Sequence, residues 1–188
     1  MKKNKLVLYI IYLFTAIGLI VADQYSKILA INHLKNKEPI VIFKGIFELL
    51  YVENKGAAYG MLAGKISLFV IITFILVPLI IYGIFKITSI IEFFGDKVNV
   101  LTFKILQIDM VLVLAGAIGN FIDRVTKGYV VDYFYFKLID FPVFNVADCY
   151  ITVSVVVMLI ICFFGLKEKE LDYLLGSKKK WQVDDESK

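Results

Sequence analysis

Three polar clusters interrupt an otherwise apolar chain: Asp23-Gln24-Tyr25-Ser26-Lys27, Gly119-Asn120-Phe121-Ile122-Asp123-Arg124 and Phe144-Asn145-Val146-Ala147-Asp148. Within hydrocarbon an ionisable side chain costs about 2.5–3.5 kcal/mol on the insertion scale, so each one needs a reason. On a helix, Asn120 and Asp123 stand i, i+3, as do Asn145 and Asp148, so each amide can share a face with its carboxylate. Asp23 and Lys27 stand i, i+4, the spacing of a local ion pair. If Asp123 and Asp148 met, both could not ionise cheaply in a low dielectric. One protonated and one ionised carboxyl is an acid–base pair: the ionised member takes a proton from water while the other donates to a carbonyl oxygen. The same residues could also cap helices, pair with neighbouring charges or line a path for protons or cations. Spacing narrows the location and leaves the reaction open.

Other hydrolytic schemes lack their parts. The only histidine, His33, has no second His or Cys around it, which argues against a ligand or triad role. Cys149 and Cys162 form no CxxC, and Cys149 has no evident base to make a thiolate. Ser26 and Lys27 are adjacent and point in different directions on a helix. Neither a zinc site nor a disulfide framework is expected from these residues.

The elements that must position these clusters are membrane helices. The 188 residues are 60% hydrophobic and 15% aromatic, more apolar surface than a soluble domain of this size can hide. The mild net charge of +4 comes from scattered lysine runs rather than one basic face, which argues against a nucleic-acid partner. Four stretches, 6–22, 66–85, about 98–122 and 149–166, are long enough to cross a core of roughly 30 Å. Pro78 lies inside the second, where membrane helices tolerate it. The first reads as an uncleaved anchor, because its apolar run exceeds a usual signal-peptide core.

The cluster of Lys2, Lys3 and Lys5 sets both termini on the cytoplasmic side, leaving the three polar clusters together at the outer ends of the spans. Residues 1–166 then form the membrane domain and 167–188 a charged cytoplasmic tail. In that tail Lys178, Lys179, Lys180 and Trp181 are suited either to the anionic leaflet or to water. In the first external loop, 23–65, the first span is expected to continue as helix through about residue 34. Residues 39–43 and 46–52 then read as a short hairpin.

Five segments resemble, in order, the signature motifs of the lipoprotein signal peptidase (signal peptidase II) family. Asp23-Gln24-Tyr25-Ser26-Lys27 is similar to its first-helix motif, and Asn54-Lys55-Gly56-Ala57-Ala58-Tyr59 to its Asn-x-Gly-Ala-Ala-aromatic motif. Gly119 to Arg124 resembles Gly-Asn-x-x-Asp-Arg, Val130-Val131-Asp132-Tyr133 the Val-Asp-aromatic segment after it, and Phe144 to Asp148 Phe-Asn-x-Ala-Asp. The resemblance spans about 6–166. It implies an integral membrane fold with an all-α core, four transmembrane helices plus a small extracytoplasmic β-sheet, in the bacterial cytoplasmic membrane. It implies an aspartic endopeptidase that removes the signal peptide of prolipoproteins just before a diacylglyceryl-modified cysteine, with no metal or organic cofactor. By the same resemblance Asp123 and Asp148 are the catalytic pair. Asn54, Gly56, Asn120, Arg124 and Asn145 order the site or the substrate, and Asp23 and Lys27 are structural or substrate-positioning.

Two residues depart from the pattern. Tyr59 stands where Phe or Trp is expected, and its hydroxyl needs a partner. Asp109 belongs to no motif; snorkelling toward the inner surface beside Lys104 is the expected reading. The apolar middles of the first, second and fourth spans favour a site at one end over a transport path through the full depth.

Overall fold

The computed structural model describes residues 2–56 and 64–175. Four of its helices are long and apolar enough to cross a membrane. Helix α1 spans Lys2–Leu34. At 1.5 Å per residue it is roughly 50 Å long and outreaches a hydrocarbon core of about 30 Å. It therefore carries the chain past the membrane, as expected, to the hairpin of β1 (Ile40–Phe43) and β2 (Phe47–Asn54). The turn between these strands holds Gly45 at φ 74°, a conformation that suits glycine. Helix α2 (Ile66–Phe94) runs unbroken through Pro78.

Helix α3 (Val100–Lys127) starts on an Asn99 cap that accepts from the Thr102 amide. It stops at Gly128, whose left-handed backbone returns its N–H to the Arg124 carbonyl. The chain turns there directly into β3 (Val130–Phe136). This third strand pairs antiparallel with β2, giving the order β1-β2-β3. The expected hairpin is thus two-thirds of the sheet. Helix α4 (Val146–Ile160) continues as a π turn over Ile161–Gly165.

Helix α3 packs on α1, α2 and α4, and 44% of its most apolar stretch is buried, against 11–17% in the other three. The other helices turn most of their surface outward, which suits lipid and no aqueous solvent. Between them Gln107, fully buried, accepts from the Tyr12 hydroxyl at 3.2 Å and donates to the Ile84 carbonyl and the Thr88 hydroxyl at 3.0 and 2.8 Å. One amide thereby ties α1, α2 and α3 at mid-depth.

The described part of the segment after α4 is helical. Helix α5 (Glu168–Leu175) folds back onto the bundle end farthest from the sheet. The buried Glu170 carboxylate accepts from the Asn99 and Lys167 amides at 2.6 and 2.8 Å, and Tyr173 stacks on Phe94 at 3.8 Å. The first four N–H groups at a helix start lack an intrahelical acceptor, which explains why an acidic side chain is drawn inward. Lys178, Lys179, Lys180 and Trp181 lie outside the described residues.

Asp109 does not snorkel. It is 2% exposed, while Lys104 lies exposed on another side of α3. Because α3 is enclosed by three helices, a side chain on its inner faces has no route to the membrane surface. Among the described residues neither Asp109 carboxylate oxygen has a hydrogen-bond partner, and the Ser154 hydroxyl donates to the Asp109 main-chain carbonyl at 3.3 Å. Leaving a buried polar group unpaired costs about 1–3 kcal/mol. Asp109→Leu is therefore expected to stabilise the protein by about that amount, read as a higher midpoint of thermal unfolding in detergent.

Candidate active site

The sheet-side ends of α1, α3 and α4 converge on one buried cation. Lys27 is wholly enclosed. Its ammonium pairs with Asp23 at 2.9 Å and Asp123 at 3.3 Å, and donates to Asn120 Oδ1 at 2.9 Å. A buried charge is tolerable only with such partners. Asp23, also wholly enclosed, accepts from the Ala147 amide in the first turn of α4 at 2.9 Å. A carboxylate there also meets the positive end of the helix dipole. The contact demands Gly119: a Cβ on that residue would lie 2.5 Å from Asp23 Oδ2.

Two amides carry the network from Lys27 to the carboxylates of the site. Asn120 Oδ1 accepts from Lys27 and from Asn145 Nδ2, so its Nδ2 is left to donate to Asp148 Oδ1, at 2.8 Å. Besides that bond to Asn120, Asn145 donates its main-chain N–H to Asp148 Oδ2 at 3.1 Å and its Nδ2 to Asp132 Oδ1 at 2.6 Å. The reciprocal bond, from the Asp148 amide to Asn145 Oδ1, completes a capping box that starts α4. Asn54 at the end of β2 donates to the other Asp132 oxygen at 2.8 Å, and its own oxygen accepts from the Gly56 amide at 2.9 Å. Asp132 and Asp148 are therefore bridged by a single residue, Asn145.

Both carboxylates line a cavity of about 760 Å³. Its polar end holds Asn54, Gly56, Asn120, Arg124, Asp132 and Asp148. Its apolar end runs between Thr73 and Leu76 of α2 and Ile151 to Val153 of α4, floored by Ala117. Helices α2 and α4 both pack on α3 rather than on each other, so this end is a slot between two membrane helices. Arg124 is held by the face of Phe69, 4.6 Å from the ring centroid.

Burial, and then the negative charge of Asp148, push the Asp132 carboxyl up to about 7, against the pull of its two amide donors. It stays protonated well into the range where an ordinary aspartate is ionised.

The structure gathers Asp23, Lys27, Asn54, Gly56, Asn120, Arg124, Asn145 and Asp148, all expected from sequence. It does not set Asp123 against Asp148. Asn120 and Arg124 face the cavity, whereas Asp123 turns away from it, where Lys27, Lys127 at 2.8 Å and the Val131 amide at 3.1 Å take up its oxygens. The carboxylate that faces Asp148 is Asp132, read from sequence only as part of a motif. Strand periodicity could have found it: in Val130–Phe136 the alternating residues Val130, Asp132 and Phe136 line the cavity. Ala57, Ala58 and Tyr59 lie outside the described residues. His33 is exposed at the end of α1, away from this network. Among the described residues no three His, Cys, Asp or Glu side chains are grouped as a metal ion would need.

A model of the signal peptidase (SPase) II family matches residues 15–164. A protein of Clostridioides difficile (strain 630) named lipoprotein signal peptidase is 36% identical over 163 residues, which are 86% of this chain and 99% of that one. A protein of the same name from Streptococcus pyogenes serotype M5 is 35% identical over 163 residues, 87% of this chain and 96% of the other. Among solved structures, a bacterial membrane enzyme obtained by the in meso method at 2.3 Å resolution superposes with a TM-score of 0.67 at 32% identity, covering 85% of this chain and 93% of its own.

Gly119→Ala is expected to drive Asp23 off the start of α4 and to cost about 1–3 kcal/mol, the range for an overpacked site. Thermal unfolding of the purified variant in detergent measures it.

Proposed function

Since this chain belongs to the signal peptidase II family, a family of membrane proteases that process lipoproteins, we propose that it is an aspartic endopeptidase whose catalytic pair is Asp132 and Asp148. The observation that carries this reading is that both carboxylates line one cavity, each tied to Asn145. Asp123, the partner expected from sequence, is already saturated by two lysines and an amide and is left with a supporting role.

The two carboxyls differ in the way the reaction needs. Asp148 sits in the first turn of α4, at the positive end of the helix dipole, and its two oxygens accept from the Asn120 side chain and the Asn145 main-chain N–H. Asp132 sits on a strand with no cation bonded to it and a raised pKa. Asp148 takes a proton from water as the oxygen attacks the scissile carbonyl, and Asp132 gives its proton to the carbonyl oxygen. Collapse of the tetrahedral intermediate returns a proton to the leaving amine and breaks the C–N bond. Asn54 and Asn120 hold the carboxyl planes, and Arg124 has donors to spare for substrate carbonyls.

The substrate is a prolipoprotein signal peptide carrying a diacylglyceryl-modified cysteine. The slot between α2 and α4 suits an apolar segment arriving from the bilayer, and the polar end suits its scissile bond. The site lies near the outer face of the bacterial cytoplasmic membrane, with both chain ends on the cytoplasmic side. The test is a gel-shift assay on purified enzyme with a prolipoprotein substrate, with and without diacylglycerol on its cysteine. Cleavage of the lipidated form alone is expected.

Three substitutions separate the candidate pairs. Asp132→Asn and Asp148→Asn are each expected to abolish turnover in protein that still folds. Asp123→Asn is expected to lower stability by about 3 kcal/mol, the cost of breaking a buried ion pair, while keeping measurable turnover. Loss of turnover in a stably folded Asp123→Asn with full activity in Asp132→Asn would restore the other pair.

The pH dependence follows from Asp132. A group that must be protonated to act loses its effect as pH rises through its pKa, so kcat/KM is expected to fall above about pH 7. The folded-state value is raised above the ordinary 3.8, so the folded chain holds the proton more tightly. The resulting stabilisation is complete below about 3.8 and is lost as pH rises through about 7. Unfolding midpoints measured across that window are expected to decline for the wild type and to flatten for Asp132→Asn.

A further inference from the structure

Strand β1 breaks the rule that governs half-buried sheets. Successive side chains of a strand point to opposite faces, so a sheet between core and water alternates apolar and polar residues. In β1 all four residues are large and apolar, and all are exposed: Ile40 45%, Val41 53%, Ile42 46% and Phe43 62%. Both faces of this edge strand therefore present apolar surface to the same surroundings. In water such a strand would be an aggregation site.

The patch extends beyond β1. The Leu138 amide donates to the Ile46 carbonyl, joining the hairpin tip to the short 3-10 turn Lys137–Ile139. Ile46 is 47% exposed, Leu138 69% and Ile139 68%. Ile139 also lines the cavity, as do Ile151 and Val153 of the membrane-crossing α4. The exposed apolar tip is thus continuous with the surface of the membrane helices, and its depth is bounded by its backbone. Among the described residues the outer edge of β1 pairs with no strand, and unpaired N–H and C=O groups are not tolerated in hydrocarbon. They are tolerated among headgroups. Charge fits that depth: Lys44 is exposed at the tip between Phe43 and Gly45, while Lys137 is held by Glu48 at 2.7 Å.

We propose that the β1–β2 tip and the 137–139 turn form an interfacial anchor, with Phe43, Ile46, Leu138 and Ile139 inserted among phospholipid acyl chains of the adjoining leaflet and Lys44 at phosphate level. The partner is the lipid itself. The anchor holds the cavity mouth against the bilayer and keeps the slot between α2 and α4 continuous with lipid. It depends only on the protein's being membrane-embedded, so it stands or falls apart from the proteolytic reading.

The experiment places tryptophan at the tip. Phe43→Trp is made in a Trp181→Phe background, so that it is the only indole, and the full chain is reconstituted in phosphatidylcholine–phosphatidylglycerol vesicles. Lipids brominated near the top of the acyl chain are expected to quench its emission by about half or more, lipids brominated near the chain end less, and aqueous iodide little, as an interfacial side chain requires. Strong iodide quenching with no effect of brominated lipid would overturn the proposal. So would protection from both that vanishes when protein is diluted in the vesicles, which would mark the surface as a contact between copies. Leu138→Trp, read in the same way, guards against a local disturbance at Phe43.

Discussion

The site is organised around one ammonium group that never meets water. Lys27 has no exposed surface and holds two carboxylates and an amide oxygen from two helices. Removing such a charge from water is affordable only when every partner is in place, so the geometry around it has little freedom. Each partner passes the constraint on. Asp23 fixes the start of α4 through the Ala147 amide, Asp123 fixes the start of β3 through the Val131 amide, and Asn120 fixes Asp148. Through partners on α1 and α3, both α4 and β3 are registered on a single atom.

This explains a division of labour among the aspartates. Asp23 and Asp123 neutralise Lys27 and anchor backbone; Asp132 and Asp148 receive only amides and face the cavity. Four carboxylates near one another would repel strongly in a low dielectric. Two are matched by Lys27 and Lys127, and burial with a charged neighbour keeps the Asp132 carboxyl protonated to about pH 7. The amide-only shell around Asp132 and Asp148 orients them without neutralising them.

Much of this was legible in the chain. Length and hydropathy located the four spans, because a hydrocarbon layer imposes its own thickness, and the lone Pro78 did not mislead because a membrane helix carries it. The polar clusters located the site end, because polar groups at that depth must converge to be tolerated. Sequence did not show which aspartate faces Asp148. That choice depends on helix rotation: Asn120 and Arg124, one turn apart, face the cavity while Asp123 between them faces Lys27. It also depends on β3, which pairs with a strand some eighty residues earlier. Local spacing carries no record of such pairing. Asp109 was misread for a related reason, since it is buried by helices whose mutual packing leaves only a diffuse trace in composition.

The slot between α2 and α4 has a kinetic meaning. A molecule that reaches the cavity sideways never leaves the plane of the membrane, so its search has two dimensions and its long axis is already aligned with the helices. Much of the orientational entropy that a bimolecular encounter in solution must surrender has been removed in advance. The concentration that governs such an encounter is the number of substrate molecules per unit of membrane area, and the volume of water around the membrane does not enter it.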